Sequence, residues 1–219
     1  DEVIKQLEEC SDLAPLHNPA NLKGIHAITE IFGDKIPQVG VFDTAFHSTM
    51  PEEAYMYAIP YDFYQKYRIR AYGFHGTSHR YVAYRYRKIN KLPKEKVNVV
   101  ILHLGNGCSI SSVKHGESVF NSMGMTPIEG LIMGTRCGDI DTGIVEYLLK
   151  KEIGTFPEIM NILQKKSGML GVSGVSNDMR DIENAAKEGN KRAQLAIDVL
   201  RHRALKYIGA YAIELGRVD

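Results

Sequence analysis

The chain has 219 residues, of which 27 are lysine or arginine and 26 are aspartate or glutamate, so its formal net charge is +1. This near balance argues against nucleic acid as the main partner. The longest aliphatic run, residues 99–102, is far shorter than the roughly 20 residues of a membrane helix. Three cysteines without a CxxC pair fit a reducing compartment. We therefore expect a soluble, cytoplasmic protein with no membrane partner.

The first predicted elements are two helices and a short strand. Residues 2–10 have a helical pattern, and an Asn-Pro pair at residues 18–19 predicts a second helix that ends near residue 31. Residues 39–42 are typical of a short buried strand, which would deliver Asp43 to its carboxyl end. Functional sites of α/β proteins form at strand ends of this kind.

The sequence in the middle of the chain predicts the strands of the sheet. Residues 54–72 are predicted to be irregular and residues 77–90 to be helical. Residues 97–104 are predicted to form a strand, and residues 109–113 and 118–121 the two strands of a β-hairpin. Residues 97–104 are apolar at nearly every position, which is the pattern of a central strand covered on both faces. His115 and Gly116 are the turn signal of the hairpin.

From residue 141 onward the sequence predicts mostly helices. Gly154 ends one helix, Pro157 lies near the first turn of the next, and apolar residues at helical spacing continue to residue 211 in a long last helix. Together these elements predict an α/β fold with a mixed sheet and flanking helices.

A glycine-rich loop follows the predicted central strand. Gly105 and Gly107 flank Asn106, and two glycines let the backbone turn tightly and direct its N–H groups toward an anion. Phosphate is the ligand that this loop favours. The alternative is an ordinary hairpin turn, for which Gly-Asn-Gly is equally typical. The sequence contains neither a P-loop nor a GxGxxG motif.

Two histidines, His75 and His79, lie four residues apart at a predicted helix start. This spacing would place both imidazoles on one helix face, where they could bind a metal such as zinc. The glutamate of an HExxH motif is absent, which favours a structural role or a role for one histidine only. In the second case His75 would donate a hydrogen bond to a developing phosphoryl oxygen.

Residues 133–143 combine Arg136, Asp139 and Asp141 with three glycines, an unusual composition for a purely structural loop. The guanidinium group matches phosphoryl oxygens in a bidentate geometry, which makes Arg136 the strongest single catalytic candidate. The alternative is that Arg136 pairs with Asp139 or Asp141 and stabilises the start of the next helix.

Five segments, taken together and in this order, resemble the acetate kinase family. They are residues 14–19 (APLHNP), 42–47 (FDTAFH), 74–79 (FHGTSH), 103–107 (HLGNG) and 134–141 (GTRCGDID). The resemblance extends through essentially the whole chain but matches only the middle portion of a longer family chain. We therefore expect both ends of a family member to be absent.

The resemblance implies the duplicated actin-like, sugar-kinase-like (ribonuclease H-like) α/β fold, here incomplete. In that fold two domains clamp ATP and a small carboxylic acid between them. Residues 1–42 would finish the first domain, and residues 43–219 would form most of the second, nucleotide-binding domain. The family also implies a homodimer formed through the second domain.

The resemblance further implies roles for single residues. Asp43, His75 and Arg136 match the catalytic residues, the last two as stabilisers of the transition state. The implied nucleotide contacts are His103, Leu104, Gly105, Asn106, Gly107, Asp178, Met179 and Arg180. The implied substrate contacts are Leu16, His17, Phe74 and Pro127. No metal ligand is expected within the chain, because the family's magnesium-binding glutamate lies outside it.

The implied reaction is reversible phosphoryl transfer from ATP to acetate, giving acetyl phosphate and ADP with the help of Mg²⁺. Such a transfer needs mainly positioning and compensation of charge. Acetate is already ionised near neutral pH, so no strong general base is required. We expect Asp43 to organise magnesium and its waters, while capture of the phosphoryl group by Asp43 is the less favoured alternative.

Two other hypotheses stay open. A propionate or butyrate kinase of the same family differs in its substrate by one or two methylenes, and one methylene is worth only about 1–3 kcal/mol of discrimination. A noncatalytic nucleotide-binding fragment is the hypothesis from another class. Because the family's carboxylate-binding arginine and adenine-side glycine loop lie outside the sequence, we expect the 219-residue chain alone to be inactive.

Overall fold

The computed structural model describes residues 2–12 and 18–219. The chain divides into two compact units, Asp1–Val41 and Phe42–Asp219. The division lies next to the predicted domain boundary, and the assignment of the two units to the two family domains remains a prediction.

The first unit contains the two predicted helices, α1 (Glu2–Glu9) and α2 (Asn18–Phe32). Asn18 and Pro19 stand in the first turn of α2, as the sequence predicts, and Gly33 follows its last residue with a φ of +64°. The Asn18 side-chain amide donates a hydrogen bond to the carbonyl of Leu7 at 3.3 Å, which ties the two helices together.

The strand predicted at residues 39–42 is not formed. These residues join no ladder within the described ranges, and the Val39 and Val41 side chains are 85% and 75% exposed. Apolar composition favours a strand, but a strand is stable only when a neighbour accepts its backbone hydrogen bonds and covers its side chains. That prediction is therefore wrong for the structure of this chain.

The second unit contains the sheet and most of the helices. Its elements in chain order are α3 (Glu52–Tyr55), α4 (Tyr61–Tyr67), α5 (Gly76–Ile89), β1 (Val99–Leu104), β2 (Cys108–Lys114), β3 (Glu117–Asn121), α6 (Gly143–Lys150), α7 (Phe156–Lys165), α8 (Gly168–Ser173), α9 (Met179–Lys187) and α10 (Lys191–Leu215). The helix predicted at residues 77–90 and the long last helix are confirmed. Residues 54–72, predicted to be irregular, contain α4 and the end of α3.

The three strands pair in the order β1-β2-β3 and are antiparallel throughout. His115 and Gly116 have φ angles of +54° and +75°, which is the type I′ geometry of a two-residue hairpin turn, so the predicted hairpin is confirmed. Two expectations are corrected. The sheet in the described residues is antiparallel rather than mixed, and β1 is an edge strand rather than a central one, which leaves Leu104 60% exposed.

Alternation along β2 gives the sheet two different faces. Cys108 and Ile110 pack in one cluster with Tyr211 of α10, while Val113 packs in another with Ala83 of α5. The odd-numbered serines Ser109 and Ser111 therefore share the α5 side of the strand with Val113. This placement brings a buried hydroxyl group beside the first turn of α5.

A third cluster joins α8, α9 and α10. Its buried members are Ile132, Met169, Ile182, Ala193 and Ala196. The Asn190 side chain accepts hydrogen bonds from the first backbone N–H groups of α10, and this cap explains where the 25-residue helix begins. Across the described ranges, no helix combines the length and the apolar character needed to cross a membrane.

Candidate active site

The carboxylate of Asp43 holds the first turn of α5. Its Oδ2 accepts a hydrogen bond from the backbone N–H of His75 at 2.9 Å, and its carbonyl oxygen accepts one from Gly76 at 2.8 Å. Gly76 permits this approach, because a Cβ at that position would lie only 2.3 Å from the Asp43 carbonyl oxygen. His75 precedes the helix in the left-handed conformation with a φ of +57°. These contacts fix the direction of the His75 side chain.

His47 anchors the residue in front of His75. Its Nε2–H donates to the carbonyl of Phe74 at 2.9 Å, and its Nδ1 accepts from the Ser118 hydroxyl at 2.8 Å. Asn121 accepts a hydrogen bond from the Phe74 N–H at 3.2 Å. His47 is fully buried, and burial lowers its pKa, so the ring is a neutral structural group that ties this segment to β3.

His75 lies in a cluster of polar side chains. Its Nδ1 is 2.9 Å from the Ser109 hydroxyl oxygen, and its ring stacks on that of His103 with centroids 4.1 Å apart. His79 also approaches Ser109, at 2.7 Å through Nε2. Burial, with His103 as the second cause, lowers the pKa of His75 to about 4. Burial likewise lowers the pKa of His79 to about 3, so both rings are neutral at pH 7.

His103 is held by a separate contact. Its Nδ1 lies 2.9 Å from the hydroxyl oxygen of Ser78 on α5. The ring is half-buried and lies between the helix and the glycine-rich loop that begins two residues later. This contact and the stacking on His75 both restrict rotation of the His103 ring.

The glycine-rich loop is a folded turn supported by the loop that carries Arg136. The Gly105 N–H donates to the carbonyl of Gly107 at 3.0 Å, and the Gly134 N–H donates to the carbonyl of Asn106 at 2.9 Å. A Cβ on Gly107 would lie 3.1 Å from His75 Nε2 and 3.5 Å from Arg136 Nη1. The structure therefore brings the loop, His75 and Arg136 together around one point.

Arg136 is half-buried, and its guanidinium group makes few contacts. Nη1 donates to the carbonyl of Pro127 at 3.1 Å and lies 3.7 Å from the sulfur of Met133. Within the part of the chain that the structure describes, its other N–H groups have no hydrogen-bond partner. Asp139 and Asp141 bond elsewhere, to the N–H groups of residues 130 and 143, so the predicted alternative of an Arg136 ion pair is not found there.

Two tyrosine contacts fasten the loops around Arg136. The Tyr207 hydroxyl donates to Asp139 at 2.7 Å, and the Tyr57 hydroxyl donates to Glu129 at 2.5 Å. Asp139 also accepts from the Gly130 N–H at 2.8 Å. Burial raises the pKa of both tyrosines and of Glu129. The carbonyl that supports Arg136 thus belongs to a loop braced at Glu129 and Gly130.

Residues 178–180 lie close to the glycine-rich loop, but the two charged side chains among them bond to each other. Asp178 caps α9 and pairs with Arg180, and hydrogen bonds from Arg180 lower the pKa of Asp178 to about 2. Met179 packs against the cluster of α8, α9 and α10. The neighbouring Asn177 donates to the Asn106 side chain at 3.1 Å, which places this segment beside the glycine-rich loop.

The predicted substrate contacts are only partly described. Phe74 packs against the core cluster beneath the site, and Pro127 contacts Arg136 through its carbonyl group. Leu16 and His17 lie outside the described residues. The apolar wall around a substrate methyl group therefore remains a prediction.

Sequence reasoning missed the residues that orient the histidines. Ser109 is two residues after Gly107, and the period of two along β2 could have placed its side chain on the α5 face. Ser78 lies three residues after His75 on α5, one helical turn away. No group of three or more histidine, cysteine or acidic side chains within residues 2–12 and 18–219 is arranged to hold a metal ion.

Comparisons with known proteins identify the family to which the chain is similar. The model of the acetokinase family matches residues 1–219 of the chain. The chain is 56% identical over 219 residues to an acetate kinase of Halothermothrix orenii and 60% identical over 219 residues to one of Alkaliphilus metalliredigens. In both comparisons all of this chain is aligned with 55% of the relative, so the chain spans about half the length of the curated relatives it matches.

Two solved structures are similar over the whole chain. An acetate kinase of Porphyromonas gingivalis superposes with a TM-score of 0.94 at 54% identity, and a propionate kinase of Francisella tularensis with 0.95 at 46%. The alignments cover 54% and 56% of those chains. The predicted α/β, actin-like fold is therefore confirmed.

Proposed function

The chain belongs to the acetokinase family, and we propose that the protein catalyses reversible transfer of a phosphoryl group from ATP to acetate, giving ADP and acetyl phosphate. The observation that carries this proposal is the approach of His75 Nε2 and Arg136 Nη1 to the same point at Gly107. A cation and a neutral donor at the edge of a loop that can hold phosphate are the groups that phosphoryl transfer requires.

Each group has a distinct part in the transfer. The N–H groups of Arg136 that are unpaired within the described ranges would bind the oxygens of the phosphoryl group as their charge spreads in the transition state. His75, being neutral, would contribute a hydrogen bond rather than a charge. Acetate attacks as the anion, so the site needs no base to activate the nucleophile.

Asp43 suits a magnesium-organising role. Its Oδ2 is bonded to the His75 N–H, while its Oδ1 has no hydrogen-bond partner among the described residues. Mg²⁺ in proteins usually keeps several of its waters, and an exposed carboxylate can accept hydrogen bonds from them. When bound, the ion would offset charge on the phosphates of ATP.

The nucleotide would lie along the glycine-rich loop. Residues 103–107 supply the phosphate side, and the contact between Asn177 and Asn106 supports a nucleotide-side position for residues 178–180. We further propose the family's two-domain assignment, a homodimer and a cytoplasmic location for the complete protein. Phe74 and Pro127 would line the pocket for the acid.

The decisive experiment is an assay of the complete gene product that contains this sequence. Acetyl phosphate made from ATP, Mg²⁺ and acetate is trapped with hydroxylamine, and formate, propionate and butyrate are compared at matched concentrations. We expect the highest kcat/KM for acetate. A higher kcat/KM for propionate or butyrate would mean that this acid, and not acetate, is the preferred substrate. Nucleotide binding without carboxylate-dependent turnover would support the noncatalytic hypothesis.

A matched pair of variants links the activity to the site. Arg136→Ala should abolish most of the turnover, whereas Arg201→Ala, at an exposed arginine paired with Asp198 on α10, should leave it unchanged. Equal loss in both variants would mean that the measured activity does not depend on the proposed site.

A further inference from the structure

The Ser109 hydroxyl lies between two histidine rings on the buried side of the site. Its oxygen is 2.9 Å from His75 Nδ1 and 2.7 Å from His79 Nε2. Ser109 and His79 are both fully buried, so water does not provide alternative partners. The three side chains form a continuous hydrogen-bonded row that ends at the Nε2 atom of His75, beside Gly107.

Counting protons leaves two arrangements for this row. A neutral imidazole has one N–H and one acceptor nitrogen, and a hydroxyl group has one proton to donate. In the first arrangement His79 Nε2–H donates to Ser109, and Ser109 donates to His75 Nδ1. In the second, His75 Nδ1–H donates to Ser109, and Ser109 donates to His79 Nε2. A third arrangement, with both rings donating to Ser109, would leave the buried hydroxyl proton without an acceptor.

The other nitrogen of His79 decides between the two. His79 Nδ1 is buried and has no hydrogen-bond partner within the described part of the chain. The second arrangement would place a proton on that atom and leave a buried N–H without an acceptor, a situation that folded proteins rarely tolerate. The first arrangement leaves only an unfilled acceptor there, which is more common.

We propose that His79 and Ser109 are positioning residues that hold the His75 ring in the tautomer with its proton on Nε2, facing Gly107 and Arg136. This inference rests on the proposed function. Phosphoryl oxygens accept hydrogen bonds and do not donate them when ionised, so only this tautomer lets His75 assist the transfer. The opposite tautomer would point a lone pair at the phosphoryl group.

Two further contacts make the tautomer effective. The backbone N–H of His75 donates to Asp43 Oδ2 at 2.9 Å. The His75 ring is stacked on the His103 ring with an angle of 25° between the planes. A 180° flip of the ring would place Cδ2 instead of Nδ1 beside the Ser109 hydroxyl group, so the hydrogen bond to Ser109 holds the ring in this orientation. The direction of the Nε2–H bond is set before a substrate arrives, which is the condition for an effective donor.

The direct test is the nitrogen NMR spectrum of the histidine rings in the complete gene product at pH 7. Ring-¹⁵N histidine is incorporated, and the His75 signals are assigned by their loss in His75→Asn. Protonated and unprotonated ring nitrogens differ widely in chemical shift, so the tautomer is read without any assay of activity. We expect a protonated Nε2 and an unprotonated Nδ1, and the reverse result would overturn the proposal.

Variants test the contribution of the row. Ser109→Ala should move both His75 signals toward the average of the two tautomers, and His79→Gln, whose amide can still donate to Ser109, should move them less than His79→Leu. Ser112→Ala is the matched control, because Ser112 is a buried serine of the same strand whose hydroxyl has no partner in the described residues. Unchanged His75 signals in Ser109→Ala would also overturn the proposal.

Kinetics separate this inference from the proposed function. Ser109→Ala should lower kcat by about tenfold, less than the 10²–10³ typical of deleting a donor outright, with little change in the KM for ATP. If the His75 tautomer is as expected but the complete protein transfers no phosphoryl group, the proposed function fails alone. If the protein is an active kinase and His75 carries its proton on Nδ1, the inference fails alone.

Discussion

The imidazole ring of His75 lies against that of His103, with the centroids 4.1 Å apart and the planes inclined by 25°. At this separation His103 disfavours a positive charge on His75, which adds to the effect of burial on the pKa of His75. The pKa of His75 is lowered to about 4 as a result. His75 is therefore a neutral donor in the site, while Arg136 supplies the positive charge.

Acid should destabilise the fold through His79 before it affects most carboxylates. The unfolded-state pKa is near 6.5, and burial lowers the folded-state value to about 3, so the unfolded state binds more protons as the pH falls. The stabilising contribution is complete above pH 6.5 and is lost from there toward pH 3. At pH 4 the loss is on the order of 3 kcal/mol.

Urea unfolding between pH 8 and pH 4 measures this effect. His79→Gln should unfold with a smaller pH dependence than the wild type, whereas His202→Gln, on an exposed position of α10, should keep the wild-type dependence. A wild-type free energy of unfolding that stays constant from pH 6.5 to pH 4 would contradict the prediction.

Arg136→Ala should lower kcat by at least about 10²-fold and change the KM for ATP much less. The reason is that the guanidinium N–H groups left unpaired by the described residues bind charge that develops only in the transition state. Arg136→Lys should recover part of the loss, since it restores the charge without the bidentate geometry. Steady-state kinetics of acetyl phosphate formation check both values. A proportionate loss of nucleotide affinity would assign Arg136 to binding instead.

The elements that sequence predicted correctly are those with strong local signals. The helix from Gly76 to Ile89 has no proline and no glycine after its first residue, and the hairpin has a turn pair that accepts positive φ angles at His115 and Gly116. The failure at residues 39–42 has a non-local cause, because strand formation depends on a neighbour that no local pattern reveals.

The candidate site was predictable by residue type but not by contact. The interpretation of Arg136 as a cation for phosphoryl oxygens required knowing that Asp139 is engaged by Gly130 and Tyr207, which are near it only in the fold. The partnership of Ser109 with two histidines depends on strand register against α5. Register and packing are properties of the whole second unit, so the motif alone could not supply them.

Tyr207→Phe tests the brace behind Arg136. Removing the hydroxyl leaves one oxygen of the half-buried Asp139 without its partner, so the free energy of unfolding should fall by about 1–3 kcal/mol. The matched control is Tyr147→Phe on α6, where the ring is 60% exposed, and its stability should change by less than about 0.5 kcal/mol. Urea denaturation compares the two, and equal stabilities would exclude a bracing role.

Gly107→Ala should damage the site without damaging the fold. The new Cβ would stand 3.1 Å from His75 Nε2 and 3.5 Å from Arg136 Nη1, in the space where both groups would meet a phosphoryl oxygen. Since Gly107 has no positive φ, alanine causes no backbone strain, and the effect comes from filling that space. We expect kcat to fall by about 10²-fold, with a melting temperature close to that of the wild type.

Gly209→Ala is the control for this prediction, because a Cβ there meets no atom within 4 Å among the described residues and the position lies inside α10. It should stabilise the protein by about 0.5–1 kcal/mol through helix propensity and leave turnover unchanged. Calorimetry measures the stability of the two variants, and the hydroxylamine assay measures their turnover, so an effect on the site is distinguished from an effect on the fold. Full activity in Gly107→Ala would mean that phosphoryl transfer takes place away from the point where His75 and Arg136 converge, and the proposed site would have to be moved.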